Sequence, residues 1–164
     1  MLEHNEKIER FFNKKLINKI VESELQRYVS FFENTYKENL ENSKFNLEKF
    51  PRWSIISGYY AMHDATKLLL AKKFNIKVDF NVHKTTIALL REIIKDKELL
   101  KLLRIGYKEF IEMANDLSKA RKDRTRAQYY TGSEFVKEKY KEKASDFLNT
   151  IVMPYLNKIE NILK

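Results

Sequence analysis

The stretch "PRWSIISGYYAMHDATKLLLAKK", residues 51–73, is apolar on almost every side of a helical wheel: Trp53, Ile55, Ile56, Tyr59, Tyr60, Met62, Leu68, Leu69 and Leu70 leave little polar face. Such a helix has no side to give to water and belongs at the centre of other helices. The rest of the chain is suited to surround it. Three glycines and two prolines in 164 residues, among long runs of Leu, Ile, Lys and Glu, favour helix over turn. The expected fold is all-α, an antiparallel bundle of four to five helices forming one domain over residues 1–164, long enough to bury about two-thirds of its unfolded surface.

Five helical segments emerge around that centre. The first, about 5–43, repeats Phe11, Leu16, Ile20, Leu25, Tyr28, Phe31 and Phe32 at three- and four-residue spacing, with a division near Lys14 or at Ser23. Pro51 suits the first turn of the second helix. "NIKVDFNVH" alternates apolar and polar residues as a strand does, yet no other segment offers itself as a partner, so it reads as an extended connector. The third helix is expected over 83–102, the fourth over 104–129 with Gly132 ending it, and the fifth over 134–163 with Ser133 as cap and a bend at Pro154.

The chain has no cysteine, which excludes disulfides and thiol catalysis and fits a reducing cytoplasm. His4, His63 and His83 are not paired at short spacing, which speaks against a zinc site; no metal or cofactor is expected. No apolar run approaches the roughly 18–20 residues of a membrane span, and "MLEHNEKIER" lacks the apolar core of a signal peptide, so a soluble, unprocessed protein is expected. Lys and Arg number 32 against 23 Asp and Glu, a formal charge of +9, which biases the partner toward an anion.

That charge concentrates in "ARKDRTRAQYYTG". Leu103, Tyr107, Phe110, Ala114 and Leu117 form the inward stripe of the fourth helix, and the same steps continue through Arg121, Arg124 and Gln128. A guanidinium on such a stripe needs a carboxylate, an anionic ligand or water. Either Arg121 and Arg124 pair with acids inside the bundle, Asp64 among the choices, or they line an anion-binding cleft. Lys122 and Arg126 lie on neighbouring faces. In the second helix Tyr59, Tyr60, His63 and Asp64 cluster within about one turn, where His63 is either a satisfied core residue or part of a site.

"SGYYAMHDATKLLLAKKFNIKV", "HKTTIALLREII" and "DRTRAQYYTGSEF", spread over about residues 51–136, resemble the HEPN (higher eukaryotes and prokaryotes nucleotide-binding) family. The late turn Arg124-Thr125-Arg126-Ala127-Gln128-Tyr129 resembles the family's Arg-x-x-Ala-Asp-Tyr, with Gln128 where aspartate is usual, and His63 stands where phenylalanine is common. The resemblance implies a helical bundle, often a homodimer, with a groove for nucleotide or RNA. Ribonuclease members use an arginine followed four to six residues later by a histidine. No histidine follows His83 here, so that pair is absent. Arginine, glutamine and an unperturbed tyrosine move protons poorly near neutral pH.

The expected function is a non-catalytic module binding nucleotide or RNA, with Arg121, Lys122, Arg124 and Arg126 for phosphate, Gln128, Tyr129, Tyr130, Tyr59 and His63 beside them, and Tyr129 or Tyr130 stacking on bases. Two alternatives stand. One is a toxin-like metal-independent ribonuclease in which His63 or Tyr129 replaces the missing base. The other is a dimeric partner of a small nucleotidyltransferase, as in some toxin–antitoxin pairs of the family.

Overall fold

A computed structural model describes residues 6–122 and 134–164, with side chains described over 6–115 and 138–164. It is a helical bundle with one small two-stranded ribbon. In chain order it comprises α1 (Glu6–Asn13), β1 (Ile17–Lys19), α2 (Glu22–Asn46), α3 (Pro51–Phe74), β2 (Ile76–Val78), α4 (Val82–Ile93), α5 (Lys97–Lys122), α6 (Glu134–Phe147), a π-helical turn (Leu148–Val152) and α7 (Met153–Leu163). No helix among the described residues is long and apolar enough to cross a membrane.

The all-round apolar segment takes the central place its pattern requires. α3 packs against α2, α4, α5, α6, the π-helical turn and α7, and Ile55, Tyr59, Met62, Leu68 and Leu69 are essentially without solvent exposure. Pro51 opens it in the first turn, where its missing N–H costs nothing. Asn75 closes it in the left-handed conformation, its N–H returning to the carbonyls of Ala71 and Leu70. Trp53 departs from the pattern: it is 54% exposed, on the same face of α3 as the partly exposed Tyr60 seven residues on. Only four residues join α2 to α3, so the two run antiparallel, and Ser43 Oγ donates to the Ser54 carbonyl across them at 2.8 Å.

Three expectations need correction. The alternating connector is a strand after all: Ile76, Lys77 and Val78 pair antiparallel with Lys19, Asn18 and Ile17. Its partner is the three-residue segment Ile-Asn-Lys, too short to display a period. Lys15, at φ 53°, breaks the first segment and turns the chain into that strand. The ribbon encloses a second small core of Ile8, Ile17, Leu70, Ile76, Val78 and Leu89.

The third and fourth helices divide at residues 94–96 and not near 103. Lys95 adopts φ 56°, and Asp96 Oδ1 accepts the backbone N–H groups of Glu98 and Leu99, each at 2.9 Å. This N-cap outweighs the continuous apolar pattern across it.

Beyond α6, the bend expected at Pro154 takes the form of the π-helical turn just before it. A proline ring clashes with the carbonyl four residues back, here that of Thr150, and one residue of extra winding relieves the clash. Gly132 and Ser133, the expected stop and cap, lie outside the described residues.

Candidate functional site

One face of α3, the first turn of α4 and the middle of α5 converge on a cluster of rings. α3 supplies Tyr59, Tyr60 and His63; α4 supplies His83; α5 supplies Tyr107 and Phe110. Tyr59 lies stacked on Phe110 at a centroid distance of 4.8 Å, and His83 on Tyr107 at 5.6 Å, while Tyr60 meets Phe110 edge-on at 5.5 Å. The imidazoles of His63 and His83 are 4.7 Å apart. Such pairings contribute beyond the area they bury.

The cluster grades from dry to wet. Tyr59 is fully buried and His63 is 2% exposed, whereas Tyr60 is 37% exposed and His83, Tyr107 and Phe110 are partly buried. Gly106 allows α5 to approach closely here: a Cβ on it would lie 2.9 Å from Met62 Sδ.

Burial governs the protonation of these groups. It pushes the His63 imidazole down to about 2, with the Lys67 and His83 charges acting the same way and the Val82 backbone opposing. His63 is therefore neutral at ordinary pH. Its Nε2 makes a long contact of 3.5 Å to Thr86 Oγ1, and Asp64 Oδ1 stands 3.9 Å from Nδ1. Burial also lowers the His83 imidazole and, with neighbouring hydroxyls and Asp64, raises the Tyr59 phenol far above its ordinary range.

Asp64 and Lys67 flank the cluster on the α2 side. Asn39 Nδ2 donates to Asp64 Oδ2 at 3.0 Å, and Lys67 Nζ lies over the Phe32 ring, 4.8 Å from its centroid. Burial raises the Asp64 carboxyl and lowers the Lys67 ammonium. Among the described residues no three His, Cys, Asp or Glu side chains converge as metal ligands.

Of the site residues expected from the sequence, Tyr59 and His63 come together in this cluster. Arg121 and Lys122 belong to the last turn of α5, and their side chains lie outside the described ones, as do Arg124, Arg126, Gln128, Tyr129 and Tyr130 entirely. The α5 stripe is buried chiefly at Leu99, Leu103, Gly106 and Met113, with Tyr107, Phe110 and Ala114 toward its edge. His83 was not singled out by sequence reasoning. It stands 20 residues from His63, and only the fold of β2 between α3 and α4 brings the two rings together.

Apart from this cluster, a concavity of about 390 Å³ opens on another flank of α5, lined among others by Ile105, Glu109, Lys143, Asp146, Phe147 and Thr150. Lys143 Nζ occupies its polar side, 2.7 Å from Glu109 and 3.1 Å from Glu112. The Lys143 ammonium is thus already paired with carboxylates. In comparison with known proteins, no family model matches the chain, and neither does any curated protein or solved structure.

Proposed function

We propose that the protein is a non-catalytic, HEPN-like module that binds nucleotide or RNA, with Arg121, Lys122, Arg124 and Arg126 taking phosphate and an aromatic surface taking bases. The observation that supports this most is the partly open set of rings formed by Tyr60, His83, Tyr107 and Phe110. Two of these rings lie on α5, the helix that carries the first cations of the arginine run. Phe110 and Arg121 are 11 residues apart in one helix, about 16 Å at 1.5 Å per residue. That separation suits a ligand of a few nucleotides, one part stacked and the next held by charge. A chain carrying +9 favours such a ligand electrostatically.

Cleavage is disfavoured by the state of His63 and Tyr59, while Tyr129, the other substitute base considered, lies outside the described residues. His63, the histidine first considered as a substitute base, is enclosed and cannot reach a ribose hydroxyl. Tyr59 holds its proton too firmly to act as a base. The test is fluorescence anisotropy of a labelled single-stranded RNA across a series of salt concentrations, with the RNA then examined on a denaturing gel. Saturable, salt-sensitive binding of intact RNA is expected. No binding defeats the proposal, and metal-independent cutting defeats its non-catalytic half.

A further inference from the structure

We infer that His83 is a fixed hydrogen-bond donor to an oxygen of the ligand, and that Tyr59 is the positioning residue that sets its tautomer. The ligand's identity as a nucleotide or RNA rests on the reading above; the tautomer does not. The Tyr59 hydroxyl is 2.7 Å from His83 Nδ1, and Tyr59 has no solvent exposure. That nitrogen is the hydroxyl's only hydrogen-bonding partner among the described residues.

Two arrangements of the proton are conceivable, and they differ in cost. If Nδ1 carried the hydrogen and donated to the tyrosine oxygen, the buried phenolic hydrogen would have no acceptor. Leaving a buried donor unmade is the expensive case. The phenol therefore donates, Nδ1 accepts, and the proton of the neutral imidazole sits on Nε2. Nε2 is at the far edge of the ring from Tyr59 and makes no hydrogen bond to a described residue. The ring is only partly buried, between Tyr107 stacked at 5.6 Å and Tyr60 edge-on at 6.3 Å.

The surroundings keep this imidazole neutral. From α3 it is faced by Tyr59, Tyr60, His63 and the Lys67 charge, and from α5 by Tyr107. No carboxylate among them favours an imidazolium. A neutral Nε2–H between aromatic walls is the partner of an acceptor oxygen, either a phosphate oxygen or a base carbonyl, on a ligand that stacks. Because its outer nitrogen already holds the proton, His83 is not a general base in this state.

The test reads the tautomer directly. Long-range ¹H–¹⁵N correlation spectra of the free protein at neutral pH should show His83 protonated on Nε2 and bare on Nδ1. In Tyr59→Phe the tautomers should mix and the His83 pKa rise. Protonation on Nδ1 in the wild type, or an unchanged tautomer in the variant, overturns the role given to Tyr59.

Ligand binding is then followed with uridine, uridine 5′-monophosphate, inorganic phosphate and a short single-stranded RNA, watching the Nε2–H resonance. A shift with uridine assigns the base carbonyl, and one that needs the phosphate assigns the phosphate oxygen. His83→Gln can accept from Tyr59 and donate outward through one amide, and should bind RNA nearly as the wild type does. His83→Leu should lose about tenfold in affinity, the worth of one good hydrogen bond. RNA that binds without moving the His83 signal overturns the donor role while leaving the nucleotide reading intact. With the tautomer in place, absence of any binding overturns that reading and the ligand role of His83 together.

Discussion

The hydroxyl of Tyr155 lies 2.6 Å from Thr66 Oγ1, joining α7 to α3 at a point where neither residue has any solvent exposure. Thr66 Oγ1 also donates to the Met62 carbonyl at 2.8 Å, which commits its one hydrogen. Tyr155 must therefore be the donor to Thr66, and the two substitutions that break the pair are unequal. Tyr155→Phe removes one hydrogen bond and leaves Thr66 satisfied, a loss of about 1 kcal/mol. Thr66→Val strands a buried phenol, which costs about 1–3 kcal/mol. Chemical denaturation of both variants should place Thr66→Val lower, and the reverse order would invert the assigned donor.

Gly58 sits at a close crossing of α3 with three neighbouring elements. A Cβ there would sit 3.0 Å from Val152 Cγ2, 3.1 Å from Ser43 Oγ and 3.3 Å from Phe147 Cε1, three contacts from three different neighbours. Alanine is favoured over glycine in a helix by about 1 kcal/mol, but overpacking a full core costs about 1–3 kcal/mol. Gly58→Ala should be destabilising on balance, and Val152→Ala should relieve part of that cost in the double variant. Gly106→Ala meets chiefly the flexible thioether end of Met62, so its loss should be smaller. Equal melting temperatures for the two single variants would contradict the geometry.

How much of this was legible beforehand depended on whether a signal was local. The centre of the bundle was readable because α3 announces its burial on all sides, and Pro51 marks its start. The ribbon was not, since Ile17 and Val78 are 61 residues apart and Ile17–Lys19 is too brief to show alternation. The break at Asp96 was missed because the apolar spacing runs straight across it, while the decisive feature is one capping carboxylate. In the candidate site, the Tyr59–His63 pairing lay one helical turn apart and was visible. His83 became part of it only through the path of the chain from α3 through β2 to α4.

Buried His63 makes stability depend on pH. Unfolded, the imidazole takes up a proton as pH falls through about 6.5; folded, it resists until about 2. The contribution is thus complete above about pH 6.5 and is lost below it, at about 1.4 kcal/mol per pH unit for one proton. His83, lowered in the same direction, adds to the slope, whereas the raised Asp64 carboxyl opposes it nearer the carboxylate range. Urea unfolding between pH 7 and 5 should show stability falling, and His63→Leu should flatten the fall by up to one proton's worth. An unchanged slope in that variant would mean that His63 titrates freely in the folded protein.

The arginine run bears the heaviest weight in the proposed function, and Arg124 is the residue to change. If it contacts phosphate, single-stranded RNA should bind with a log–log salt dependence of about 0.7 per phosphate neutralised. Arg124→Ala should then weaken binding and reduce that slope by about 0.7, with the melting temperature nearly unchanged. An arginine paired inside the bundle predicts the opposite, because removing it strands a buried carboxylate and costs about 3–5 kcal/mol of stability. Binding and melting measured on the same variant separate the two. Weakened binding with intact melting supports a phosphate contact, while a large fall in melting temperature with binding preserved makes Arg124 a structural cation and removes it from the site.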